Sequence, residues 1–133
     1  TIGTLEGLGE NMMSILESAA ILHDIGIHIS EEKYGSSNGK YQEKEGPSEA
    51  SKLLSSLGGY SNEQIDRICY LIAHHHTYND IDGLDYQILV ESDFLVNIYE
   101  DQLLPLAIDN VRKKIFRTKS GLDLLDNMYN IIT

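Results

Sequence analysis

The chain has 133 residues, enough for one domain with one core and too few for two ordinary ones. Its 41% hydrophobic and 23% charged residues are ordinary for a globular protein, and no apolar run approaches the roughly 20 residues that span a bilayer, so membrane insertion is not expected. Ten basic against 21 acidic residues give a net charge of -11, which repels polyanions and argues against DNA or RNA as a ligand while leaving room for a small phosphate ester beside a cation.

Residues 11–23 form the first expected helix, because Met12, Ile15, Leu16, Ala19, Ala20 and Leu22 recur at helical spacing and Gly26 supplies a stop. Residues 28–46 have no sustained period and are rich in Gly, Ser and charge, which predicts a long functional loop. A second helix opens at Gly46-Pro47, since Pro suits a first helical turn, and closes at Gly58-Gly59. Ser61 with Gln64 is a capping-box pattern that starts a third helix, running through Ile65, Ile68, Cys69 and Ile72 into His74, His75 and His76. Asp85 is the expected N-cap of a fourth helix to about Glu100, with Ile88, Leu89, Phe94, Leu95 and Ile98 on its apolar face. Pro105 to Phe116 and Gly121 to Ile131 complete the set. No convincing stretch alternates with period two. The expected fold is all-α, a compact bundle of about six helices forming one domain over 1–133.

Cys69 is the one cysteine, so no internal disulfide can form, and its apolar neighbours mark it as a small core thiol. Together with the lack of a basic stretch followed by an apolar run at the start, this makes the cytoplasm the expected location. Nothing in the sequence speaks to oligomeric state.

Three features carry chemistry. His23 and Asp24 end an otherwise apolar helix, where burial of an imidazole and a carboxylate needs compensation such as a metal ion. In the histidine triplet, His75 follows Ile72 by three residues and His76 follows it by four, so both lean to the buried side, whereas His74 lies on the flank. Asp93 interrupts the apolar run ILVESDFLVNIY, and acidic residues are rarely buried unless paired or bound to metal. Glu91 points elsewhere and reads as a surface charge. The stretch GSSNGK resembles a phosphate-binding P-loop, but it has one residue too few between its glycines and Tyr41 stands where Ser or Thr would hold magnesium. Lys33, Lys40 and His28 follow the His23-Asp24 end, which makes the two lysines candidates for contacting a substrate phosphate, with His74 beside them.

The strings AAILHDIG, IDRICYLIAHHHTY and LVESDFLVNIY, in that order over residues 10–101, resemble the HD superfamily. The resemblance implies a metal-dependent phosphohydrolase acting on a small phosphate ester or nucleotide. It makes His23, Asp24 and Asp93 metal ligands, with His23 and Asp24 also catalytic. His75 and His76 would take a second ion or hydrogen-bond the phosphate. Mixed imidazole and carboxylate ligands suit manganese, iron, cobalt, nickel or zinc. The family pattern H…HD…D also has a first histidine on an earlier helix. None precedes His23, and the expectation is that this helix lies upstream of Thr1. Some members hold two metals, using a further histidine four residues before a glycine; counting back from Gly46 gives Gln42 instead, and Glu43 or Glu45 is an alternative oxygen donor, though in a charged loop both read first as solvated. Ile27 and HHTYNDIDGLDY depart from the HD-GYP pattern, so cyclic di-GMP hydrolysis is not implied. The alternatives are a non-catalytic nucleotide-sensing or scaffold domain and a di-iron oxygenase.

Overall fold

Among the described residues eight helices follow one another: α1 (Ile2–Leu5), α2 (Glu10–Leu22), α3 (Ile27–Tyr34), α4 (Gly39–Leu57), α5 (Asn62–His74), α6 (Leu84–Asp101), α7 (Pro105–Lys114) and α8 (Lys119–Tyr129). The computed structural model describes residues 1–36 and 38–129, and there is no strand among them. All six expected helices are present, joined by the short α1 and by α3. The last is described to Tyr129, so its expected end at Ile131 lies outside the described residues.

The core is made where α2, α4, α5 and α6 pack together. Ile15, Leu16 and Ala19 of α2 meet Ala50 and Leu54 of α4, Ile68, Leu71 and Ile72 of α5, and Ile88, Leu89, Leu95 and Ile98 of α6. Each large aliphatic side chain buried in this way contributes about 1.5–3 kcal/mol. That surplus lets the same core carry His75 and Glu91 at 0% exposure. The stretch Glu10–Tyr34 reaches the length and mean hydropathy, 1.2, of a membrane span. It is broken by a turn at 23–26 into α2 and α3, and α2 turns Ile15, Leu16 and Ala19 inward against α5 and α6 while Ile21 stays 81% exposed.

The largest correction falls on residues 28–46. They are mostly helical: α3 occupies 27–34, and α4 begins at Gly39, where the Asn38 side chain caps it by accepting from the Lys40 amide at 2.9 Å. Pro47 therefore lies inside α4 and does not open it. The inward residues of the first two turns of α4 are Gln42, Glu43 and Gly46. They are polar or small because they face a polar part of the fold, so apolar periodicity carried no signal there. Lys33 and Tyr34 of α3 bind Glu45 at 2.8 and 3.2 Å, and Tyr34 stacks on Tyr41 with ring centres 4.1 Å apart.

The local signals elsewhere held more closely. Both halves of the capping box are formed, Gln64 N to Ser61 Oγ at 3.1 Å and Ser61 N to Gln64 Oε1 at 2.9 Å. At α6 the cap is Gly83, with φ of +86°, while Asp85 sits in the first turn and grips Arg67 through two bonds of 2.9 and 2.7 Å. The Asp85 carboxylate was thus drawn from capping into a buried ion pair between α5 and α6. Tyr86 next to it donates its hydroxyl to the carbonyls of His74 and Thr77, which fastens the start of α6 to the histidine end of α5.

Candidate metal centre

Two glycines set the distance between the His23-Asp24 turn and α4. A Cβ on Gly26 would stand 2.8 Å from the Gly46 nitrogen and 2.9 Å from the Gln42 carbonyl, and a Cβ on Gly46 would stand 2.8 Å from Ile72 Cγ2. The turn, α4 and α5 can close to this distance only without side chains there. Gly26 does more than stop α2: it permits this approach, which carries Asp24 toward the end of α5.

His23 caps the C-terminus of α2, and its Nδ1 donates to the Ala20 carbonyl at 2.6 Å. Its Nε2 faces two carboxylates, Asp24 Oδ2 at 3.2 Å and Asp93 Oδ1 at 3.3 Å. His75 repeats the pattern: Nδ1 donates to the Ile72 carbonyl at 2.6 Å, and Nε2 points toward Asp24 Oδ1 at 4.0 Å. That Nε2 is buried and finds no hydrogen-bond partner among the described residues. The two rings meet edge to face with centres 5.3 Å apart. His76 lies 4.0 Å from the His75 ring, and its Nε2 is 3.2 Å from Gln42 Oε1. Potential ligand atoms of Asp24, His75 and His76 all lie within 4.8 Å of one another. Asp24 is therefore shared, with His23 and Asp93 on one side and His75 and His76 on the other.

Electrostatics separates the two buried imidazoles. Burial pulls His23 toward neutrality, but the bonds to Asp93 and the Ala20 carbonyl and the charges of Asp24 and Asp93 outweigh it, so its pKa is raised. Burial also opposes ionisation of Asp93, yet the His23 bond and charge prevail and its pKa is lowered. Burial dominates at His75, with neighbouring imidazoles adding to it, and pushes its pKa down to about 4. His75 is neutral at pH 7, with its proton on Nδ1 and a lone pair on Nε2. Oxygen and nitrogen donors around one divalent ion stand roughly 3–4 Å apart, which the spacings about Asp24 satisfy. An orphaned buried lone pair beside a carboxylate is the environment a transition-metal ion fits.

Beside the cluster runs a cleft of about 270 Å³ between α2 and α6, lined by His23, Asp24, Asp93, Val96, Asn97 and Glu100 among others. Three of its lining residues are carboxylates and none is Lys or Arg. A family model described as HD domain matches residues 2–115.

The chain belongs to the HD domain family.

The match is wider than the three strings that carry the resemblance, and α8 lies outside it. No curated protein and no solved structure gave a match. HD domains are typically metal-dependent phosphohydrolases whose substrates are phosphate esters or nucleotides. Of the residues singled out in the sequence, this HD domain brings together His23, Asp24, Asp93, His75 and His76. It does not bring Lys33, Lys40 or His74 into contact with them. Lys33 is held by Glu45, Lys40 lies 3.6 Å from Glu43, and His74 donates from Nδ1 to the Tyr70 carbonyl and stacks on Tyr70. His28 pairs with Glu32 at 82% exposure. Cys69 is half-buried, its thiol pushed up by burial and by Asp66, and it donates to the Pro47 carbonyl.

Two residues beside the cluster have a larger part than the sequence assigns them. Glu43 is buried, accepting from the His76 amide at 3.1 Å and the Thr77 hydroxyl at 2.7 Å, where a solvated side chain was expected. Gln42 is buried against His76. The count back from Gly46 was the one signal that pointed to it, and it registered there only as a departure.

Proposed function

We propose that this HD domain hydrolyses a small phosphate ester, with a nucleotide as the expected class. The observation that carries the reading is the orphaned Nε2 of His75 beside Asp24, next to a cleft lined by three carboxylates and no Lys or Arg. Such a cleft repels a phosphate until a cation neutralises it, so substrate binding and ion binding are one requirement. His23, Asp24 and Asp93 would hold the ion, and His75 and His76, across Asp24, would take a second ion or bond a phosphate oxygen. Manganese, iron, cobalt, nickel and zinc all suit these donors. When bound, such an ion acidifies a water and neutralises charge on the phosphoryl oxygens. Asp24, with a side chain 53% exposed, is placed to orient the attacking water, and buried Leu89 and exposed Val96 line the cleft beside it.

The test is elemental analysis of protein purified without added metal, followed by a phosphatase panel of nucleotides and simple esters with His23→Ala and Asp93→Ala as controls. The expected result is a bound transition metal and turnover lost in both variants. Turnover unchanged in both overturns the mechanism. Bound metal with no turnover on any ester favours a sensing or scaffold role, and metal-dependent oxygen consumption favours the oxygenase.

Ion binding should depend on pH through His23 and not His75. As pH falls below the raised pKa of His23, that imidazole holds a proton which the ion must expel, so affinity drops about tenfold per pH unit. His75 adds nothing until about pH 4. Calorimetry near pH 6.5 in buffers of different ionisation heat should find about one proton released per ion; release of two speaks against the assignment. In the metal-free protein the signs oppose. His23 contributes stability that is full below its ordinary 6.5 and lost as pH rises through its raised value. His75 costs stability as pH falls from 6.5 to about 4, because the unfolded chain takes up that proton first.

A further inference from the structure

We infer that Gln42 is a positioning residue that fixes the tautomer of His76, so that His76 offers Nδ1 to an ion shared with Asp24 and His75. This rests on the reading of the cluster as an ion-binding centre. Metal-binding histidines characteristically commit one ring nitrogen to an oxygen acceptor, which orients the ring and leaves the other nitrogen with its lone pair. His23 and His75 do this with backbone carbonyls three residues earlier, those of Ala20 and Ile72, and so present Nε2. At His76 the oxygen at hydrogen-bond distance from the ring comes from another helix: Gln42 Oε1, 3.2 Å from Nε2. A proton on Nε2 donated to this oxygen leaves Nδ1 as the free donor.

The surroundings make the arrangement specific. Gln42 is 8% exposed, so its amide is aimed inward and not merely resting on the surface. A Cβ on Gly39 would stand 2.9 Å from His76 Cγ and Cδ2, so the first turn of α4 lies flat against the ring. Glu43, one residue on from Gln42, holds the His76 backbone amide at 3.1 Å. Backbone, ring face and ring nitrogen of His76 are thus all set by one turn and a half of α4, the part of the helix that the sequence presents as a loop. Potential ligand atoms of His76, His75 and Asp24 already lie within 4.8 Å of one another. A ring held on three sides needs little reorganisation to take an ion.

The experiment uses the whole chain stripped with chelator, labelled with ¹⁵N at histidine, and then titrated with Co²⁺. Long-range ¹⁵N–¹H correlations of the ring, recorded before any ion is added, should show His76 protonated at Nε2. Gln42→Leu, close in size but without an acceptor, should erase that preference and weaken Co²⁺ binding by about 10–100-fold. Gln42→Glu, which keeps an oxygen at that position, should restore both. A wild-type His76 protonated at Nδ1 overturns the inference. So does a Gln42→Leu variant whose tautomer and Co²⁺ affinity are unchanged. The wild-type spectrum needs no variant to fold, and the restoration by Glu separates positioning from simple packing. If Co²⁺ binds as expected and no ester is hydrolysed, the phosphohydrolase reading fails while the role of Gln42 stands.

Discussion

Asp24→Ala is expected to remove ion binding altogether and to lower kcat/KM by at least about a thousandfold, or roughly 4 kcal/mol of transition-state stabilisation. The size follows from its position. Asp24 Oδ2 faces His23 and Asp24 Oδ1 faces His75, so one substitution empties both sides of the cluster. His76→Ala touches one side only and should cost less. Asp24 is also half exposed, so its loss should barely disturb the fold. Circular dichroism and a thermal melt of the metal-free variant should match those of the parent, while elemental analysis finds no metal. A variant that keeps its metal, or that loses activity only because it unfolds, contradicts the assignment.

Glu91→Leu should be the most destabilising single change in α6, at about 3–5 kcal/mol, which lowers the melting temperature by roughly 10–20 °C. The Glu91 carboxylate is fully buried and accepts four bonds. They come from the Thr118 hydroxyl at 2.6 Å, the Thr118 and Arg117 amides at 3.0 Å each, and the Gln87 amide at 2.6 Å. Removing it strands two backbone N–H groups and two side chains without solvent to replace it. A Cβ on Gly121 would stand 1.8 Å from Glu91 Oε1, so α8 packs as close to this carboxylate as a backbone can. Urea unfolding measures the effect. A loss below about 1 kcal/mol would mean that the carboxylate is not what joins α6 to the turn between α7 and α8. Function should suffer as well, because Asp93 lies two residues on, on the opposite side of the same helix, and its position depends on the register that Glu91 fixes.

The residues of the candidate metal centre were legible where a polar side chain broke an apolar rhythm. His23, His75 and Asp93 each sit in a run of Ile, Leu and Val, and burial of such groups demands a reason that the sequence alone can pose. Glu91 sits in the same run as Asp93 and was misjudged, because its partners are backbone amides 26 and 27 residues away, which leave no mark in composition. Gln42 and Glu43 were hidden for a different reason. They are polar residues among polar residues, and their burial comes from facing His76 and Thr77 and not from an apolar stripe. The capping box at Ser61 was legible because both partners lie within one turn. The close approach of Gly26 to Gly46 was not, since it needs two helices to be placed before the missing Cβ has meaning.

The cluster draws Asp24 from the end of α2, His75 and His76 from the end of α5, and Asp93 from the middle of α6, with Gln42 of α4 behind them. No pair of neighbouring helices contains it. A chain in which the turn after α2, the end of α5 or the middle of α6 has come away has no complete centre left, and one in which α4 has come away loses the support of His76, so the ion would favour the assembled bundle. By mass action it would then resist opening at each of these helices, including α4, which brings Ala50 and Leu54 to the core. The ion would act as a tie for the fold before it acts on any substrate.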